Sequence, residues 1–132
     1  MTDPSVDALR RYCTALETGI AGCMAEIAPG IILHTVPCEA SPNAIHTGRD
    51  AVEAALQARF GDLRLRWSRL DVHDTDDPTV AVALAMSDTA RADGGAECEP
   101  HMFWANIEDG KIVELFQFTG AAPGAGLDNT PE

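Results

Sequence analysis

The sequence predicts one α+β domain, and three observations carry that prediction. Helical stretches with apolar residues at three- and four-residue steps run as far as Phe60. One β-branched run separates the second helix from the third. Beyond Phe60 the apolar period changes to two and holds to Phe118. Helices followed by a meander of long strands form an α+β domain with a mostly antiparallel sheet. Such a sheet buries one face, and wrapping it over helices leaves an open mouth where pockets form.

The elements follow in order. Asp3-Pro4-Ser5 suits a helix start, and Val6, Leu9, Tyr12, Cys13 and Leu16 form the stripe of a first helix that Gly19 stops. Ile20, Cys23, Met24 and Ile27 predict a short second helix ended by Pro29-Gly30. The run 31–36, bounded by Pro37, reads as a strand, and Ser41-Pro42-Asn43 as a loop. Thr47-Gly48-Arg49-Asp50 resembles a capping box, with Asp50 in place of the usual Glu. Val52, Ala55, Leu56, Arg59 and Phe60 then line a third helix closed by Gly61.

Leu63, Leu65 and Trp67 alternate with polar residues, and the apolar parity then moves to Leu70 and Val72. That switch predicts a bulge near Arg69. A turn over residues 74–78 leads to a strand with a bulky face (Val80, Val82, Leu84, Met86) and a small one (Ala81, Ala83, Ala85). Asp93-Gly94-Gly95 predicts a hairpin turn into a strand near residues 97–107. Asp109-Gly110 turns that into a last strand over 111–118. Residues 1–120 make the domain, and 121–132, rich in Ala, Gly and Pro, read as a flexible tail.

Composition bounds the partners. A formal net charge of −12 disfavours phosphate backbones and anionic lipid, so neither nucleic acid nor a membrane is expected. The start has no basic and apolar leader, and no apolar run nears the roughly 20 residues of a bilayer span. Four scattered cysteines without a CxxC pair then read as reduced thiols in a cytoplasmic protein.

Four segments, in order, resemble the SnoaL-like and ketosteroid isomerase-like proteins of the nuclear transport factor 2-like superfamily. Residues 11–19 (RYCTALETG) resemble the opening helix and glycine; 28–37 (APGIILHTVP) the first strand; 48–52 (GRDAV) the third-helix start; and 107–114 (IEDGKIVE) the terminal hairpin. The resemblance covers most of the chain from Val6 to Phe118 and implies a cone of three helices on a curved sheet around one small-molecule pocket. The family spans cyclases, isomerases, dehydratases, hydrolases and non-catalytic members, so the fold does not fix a reaction. It also implies a homodimer through the sheet's outer face.

By the same resemblance, Tyr12 falls where the family has a pocket tyrosine able to donate to a developing oxyanion. The plain alternative is a core ring with its hydroxyl satisfied locally. The base position falls on His34 or Thr35, and alternation leaves open which of them faces the cavity. The second acidic position falls on Met102 or Phe103. Neither is an acid, so a steroid isomerase of the standard two-carboxylate type is not expected. His101 shares parity with Phe103, Ala105 and Ile107 and enters the cone if that set does; a solvated place at the rim is the alternative. Glu114 falls in an apolar set with Ile112, Phe116 and Phe118, where burial would suit acid–base work; a solvated glutamate at the strand edge is the favoured alternative. Asp88 and Glu99 carry less weight.

Tyr12, His34, His101 and Glu114 are thus the catalytic candidates, with Thr35, Leu56, Phe60, Trp67, Phe103 and Phe116 as candidate walls for a small molecule. No cofactor and no metal are expected. Cys98 and His101 point to opposite faces of a strand, and Asp74, Asp76 and Asp77 lack the glycine and glutamate of a calcium loop. The expected function is cofactor-independent acid–base catalysis on a largely apolar substrate. The alternative is a non-catalytic binding or dimerising module.

Overall fold

Asp3 starts the first helix: its carboxylate accepts from the backbone N–H of Ser5 at 2.8 Å and of Val6 at 3.4 Å, satisfying donors the helix leaves unpaired. The computed structural model describes residues 3–37, 44–60, 64–90 and 96–119. The first helix, α1, spans Pro4–Ala15, and its predicted stripe of Val6, Leu9, Tyr12, Cys13 and the capping Leu16 is buried. A short α2 covers Ile20–Met24 and α3 covers Arg49–Phe60. Among the described residues the strands are β1 (Ile27–Pro37), β2 (Ala44–Thr47), β3 (Arg64–Asp74), β4 (Val80–Ala90), β5 (Ala96–Glu108) and β6 (Lys111–Thr119).

These strands form one sheet in the order β2-β1-β6-β5-β4-β3. Only β1 and β6 run parallel; every other neighbouring pair is antiparallel. The helices cover one face, here called inner, and the core lies between. It includes Leu9, Tyr12 and Cys13 of α1, Val52 and Leu56 of α3, and Ile31, Leu33, Ala83, Phe103 and Leu115 of the sheet. On β4 the small residues Ala81, Ala83 and Ala85 are buried and the bulky Leu84 is exposed. Small side chains there let α1 lie on the strand, which explains the two-faced pattern in the sequence.

Three departures from the sequence reading have physical causes. Ile27, assigned to the second helix, begins β1. The Pro29-Gly30 pair expected to end that helix lies inside the strand, where pairing with β6 is interrupted between Ile27 and Ile32. Proline has no N–H for a ladder, and an irregular stretch accommodates it. The short β2 was not anticipated, and Thr47, read as a helix cap, is its last residue. Gly48 makes the turn at φ +91°, and its carbonyl accepts from Val52 N at 3.0 Å. Finally, β6 contains a bulge. Ile107 pairs with Ile112 while Asn106 pairs with Glu114, so Val113 is an extra residue. Ile112 therefore points inward, whereas Glu114, Phe116 and Phe118 point outward, and the single face assigned to all four is split.

Other expectations match. The predicted bulge lies between Trp67 and Arg69, and Asp109-Gly110, both at positive φ, forms the tight turn joining β5 to β6. The loop at 41–43, Gly61, Leu63, the turn at 93–95 and the tail at 121–132 lie outside the described residues. Among the described residues no helix is long and apolar enough to cross a membrane.

Candidate functional site

Tyr12 is fully buried on the α1 stripe. Its hydroxyl donates to the Oε1 of Gln117 on β6 at 3.3 Å, and its ring meets Phe103 edge-on at 6.3 Å. Burial pushes the phenol well above its ordinary value of 10.0, and the neighbouring Cys23 and Cys13 thiols push the same way. The group keeps its proton across the neutral range, so it is a hydrogen-bond donor held in an apolar surround.

His101 lies on the same inner face, only 4% exposed. Its Nε2 sits 2.9 Å from Ser87 Oγ on β4 and 3.5 Å from the Oε1 of Glu99, two residues earlier on β5. Trp67 packs perpendicular to the imidazole at 5.2 Å, and Phe103 lies nearly parallel to it at 6.2 Å. The β3 bulge explains the position of Trp67. The interrupted ladder leaves its backbone N–H to the Glu17 carboxylate at 2.7 Å, while its indole N–H donates to the Cys13 carbonyl at 2.7 Å. One aromatic ring, Phe103, touches both Tyr12 and His101.

His34 and Glu114 come together elsewhere. On β1 the inner positions are Ile31 and Leu33, and His34 alternates with them onto the outer face. There its Nε2 meets Glu114 Oε2 at 2.8 Å, and its ring stacks on Phe116 at 3.9 Å with 2° between the planes. Phe116 also meets Trp104 edge-on at 5.4 Å. The two catalytic candidates on this face, together with Phe116 among the candidate walls, are therefore separated by the sheet from Tyr12 and His101. The β6 bulge is the reason for Glu114 and Phe116. For His34 the inward parity belongs to Thr35, which is half-buried beside its register partner Gln117.

Of the remaining candidates, Leu56 and Phe103 are buried in the core and Trp67 is half-buried. Phe60 ends α3, and its side chain lies outside the described ones. Sequence reasoning missed Gln117 and Ser87. Both carried a signal: Gln117 shares parity with Leu115, and Ser87 ends the small-residue face that begins at Ala81. Outside, Val82, Met102, Trp104, Phe116 and Phe118 line an apolar depression of about 320 Å³. Among the described residues no three His, Cys, Asp or Glu side chains are placed to hold a metal ion.

Helices on one face of a curved, open, mostly antiparallel six-stranded sheet define the nuclear transport factor 2-like fold. Within it, the model of the SnoaL-like domain matches residues 9–115, and the chain belongs to that family. Several solved structures are similar. A candidate polyketide cyclase from Silicibacter sp. TM1040 superposes with a TM-score of 0.76 at 16% identity, over 92% of this chain and 93% of that one. RV0760c from Mycobacterium tuberculosis, in complex with estradiol-17beta-hemisuccinate, gives 0.74 at 14% identity, over 88% and 93%. A Delta 5-3-ketosteroid isomerase from Mycobacterium sp. gives 0.71 at 21% identity, over 88% and 92%. At these identities the likeness is one of fold. No curated protein matches the chain by sequence.

Proposed function

We propose that this chain is a cofactor-independent enzyme that moves a proton on a largely apolar small molecule, with Tyr12 as the hydrogen-bond donor and His101 as the base. The observation that carries this reading is the polar pair set into the apolar inner face, each member touching Phe103. A proton-holding phenol beside a carbonyl oxygen stabilises the negative charge that develops when an adjacent C–H is removed. Histidine needs little tuning to take that proton near neutral pH. Gln117 accepts from the Tyr12 hydroxyl at 3.3 Å, and in this reading a substrate oxygen takes that hydrogen bond. A steroid ester bound by one structural neighbour and isomerised ketosteroids in the name of another favour a rigid, mostly apolar ketone as the first probe.

The test is deuterium exchange. A 3-ketosteroid incubated with the protein in D2O should gain deuterium at carbon next to the carbonyl, followed by NMR, and Tyr12→Phe and His101→Gln should each slow the gain. Exchange no faster than in buffer would set this reading aside.

A second reading is a non-catalytic small-molecule-binding or dimerisation module of the same fold, with pairing through the outer sheet face. The apolar depression on that face favours the dimer, as do Leu84 and Met102, which are 50% and 42% exposed. The pairing itself is compatible with the first reading as well, because catalysis and dimerisation would use opposite faces.

A further inference from the structure

Ser87 is the polar end of a face otherwise made of alanine, and it is fully buried. A buried hydroxyl is costly unless it is used, and its partners define the use. Its Oγ lies 3.3 Å from the backbone carbonyl of Glu99 and 2.9 Å from Nε2 of His101. The carbonyl can only accept, so the single hydroxyl proton directed there leaves an oxygen lone pair facing Nε2. The Glu99 carboxylate, 3.5 Å from the same nitrogen, also only accepts when ionised. Two acceptors thus converge on one nitrogen of the imidazole.

Resting on the reading of His101 as the base, we propose that Ser87 and Glu99 are positioning residues. They hold the neutral imidazole as its Nε2–H tautomer and make Nδ1 the atom that takes the substrate proton. The other ring nitrogen of a histidine is commonly fixed by the hydrogen bond its partner nitrogen makes. Here one short hydrogen bond and one longer charged contact act on the same N–H. Ser87 reaches it from β4, and Glu99 from the strand that carries His101.

The tautomer is directly measurable. Protein labelled with 15N-histidine gives long-range 1H–15N correlations, and the His101 pattern is identified as the one lost in His101→Gln. In the unmodified chain, at a pH where the ring is neutral, His101 should show a protonated Nε2 and a lone-pair Nδ1. Ser87→Ala suits a strand face already made of alanine, so it should fold. Ser87→Ala combined with Glu99→Ala, which removes both acceptors, should lose the exclusive Nε2–H pattern, and Ser87→Thr should retain it. A protonated Nδ1 in the unmodified chain would overturn the proposal, as would an unchanged pattern in the double variant. Failure of the enzymatic reading shows differently, as absent deuterium exchange with the Nε2–H tautomer intact.

Discussion

Tyr12 and Gln117 are 105 positions apart in the chain, and the phenol of the first donates to the amide oxygen of the second at 3.3 Å inside a water-poor core. The bond joins the first helix to the last strand at the point where the inner face becomes polar. Tyr12→Phe removes the donor and leaves the amide oxygen without it. Proton exchange on a ketone should fall by about 10²–10³, the range seen for loss of one oxyanion donor. Stability should fall by only about 1 kcal/mol, typical of one neutral hydrogen bond. Exchange rates and chemical denaturation on the same preparation separate the two effects.

The two faces of the sheet should separate in function. His101→Gln should slow exchange by about 10²–10⁴, the usual contribution of a general base. His34→Gln and Glu114→Gln should leave the rate within a few-fold. They should cost about 0–1 kcal/mol of stability, because the pair is partly solvated. Parallel rate measurements on the three variants check this; equal losses in all three would mean that the outer pair belongs to the reaction.

Association should map to the outer face. Trp104→Arg places a charge in the apolar depression beside Met102, Phe116 and Phe118. Sedimentation velocity should then show the dimer lost or weakened at micromolar concentration, with the circular dichroism of the fold retained. A monomeric unmodified chain at those concentrations would set the dimer aside.

Alkaline stability follows from the buried thiols. Desolvation pushes Cys23 from 9.0 up to about 12, and Cys13 and Tyr12 are also raised. Below pH 9 these groups are neutral in both folded and unfolded chains and cost nothing. As pH rises past that point, the unfolded chain releases protons that the folded chain retains, so stability falls up to about pH 12. Denaturation midpoints measured from pH 8 upward should therefore decline. Cys23→Ala should make the decline shallower, and an unchanged slope in that variant would contradict the assignment.

Much of the architecture was legible because periodicity reports burial directly. The α1 stripe, the β4 alternation, the bulge beside Trp67 and the Asp109-Gly110 turn all follow from local rules. For His101 the parity with Phe103 offered the inward position beside a solvated place at the rim, and its burial decides between them. What parity could not give was register across an irregularity. One extra residue at Val113 sends Ile112 inward and Glu114 outward, and the sequence holds no mark of it. His34 was undecidable for a related reason: both faces of β1 carry apolar residues, Ile31 and Leu33 on one, Ile32 and Val36 on the other. Parity marks Ser87 and Gln117 as inner-face residues, but only the packing of strands and helix sets them beside His101 and Tyr12.

The two tryptophans sit on opposite faces of the sheet, Trp67 beside His101 and Trp104 beside Phe116. Titrating estradiol-17beta-hemisuccinate into Trp104→Phe, which leaves Trp67 as the reporter, and into Trp67→Phe, which leaves Trp104, asks which face takes the ligand. Saturable quenching of Trp67 that is lost on His101→Gln or weakened on Tyr12→Phe, with Trp104 silent, is the predicted result. Quenching confined to Trp104 would move the binding site to the outer face and contradict the roles given to Tyr12 and His101.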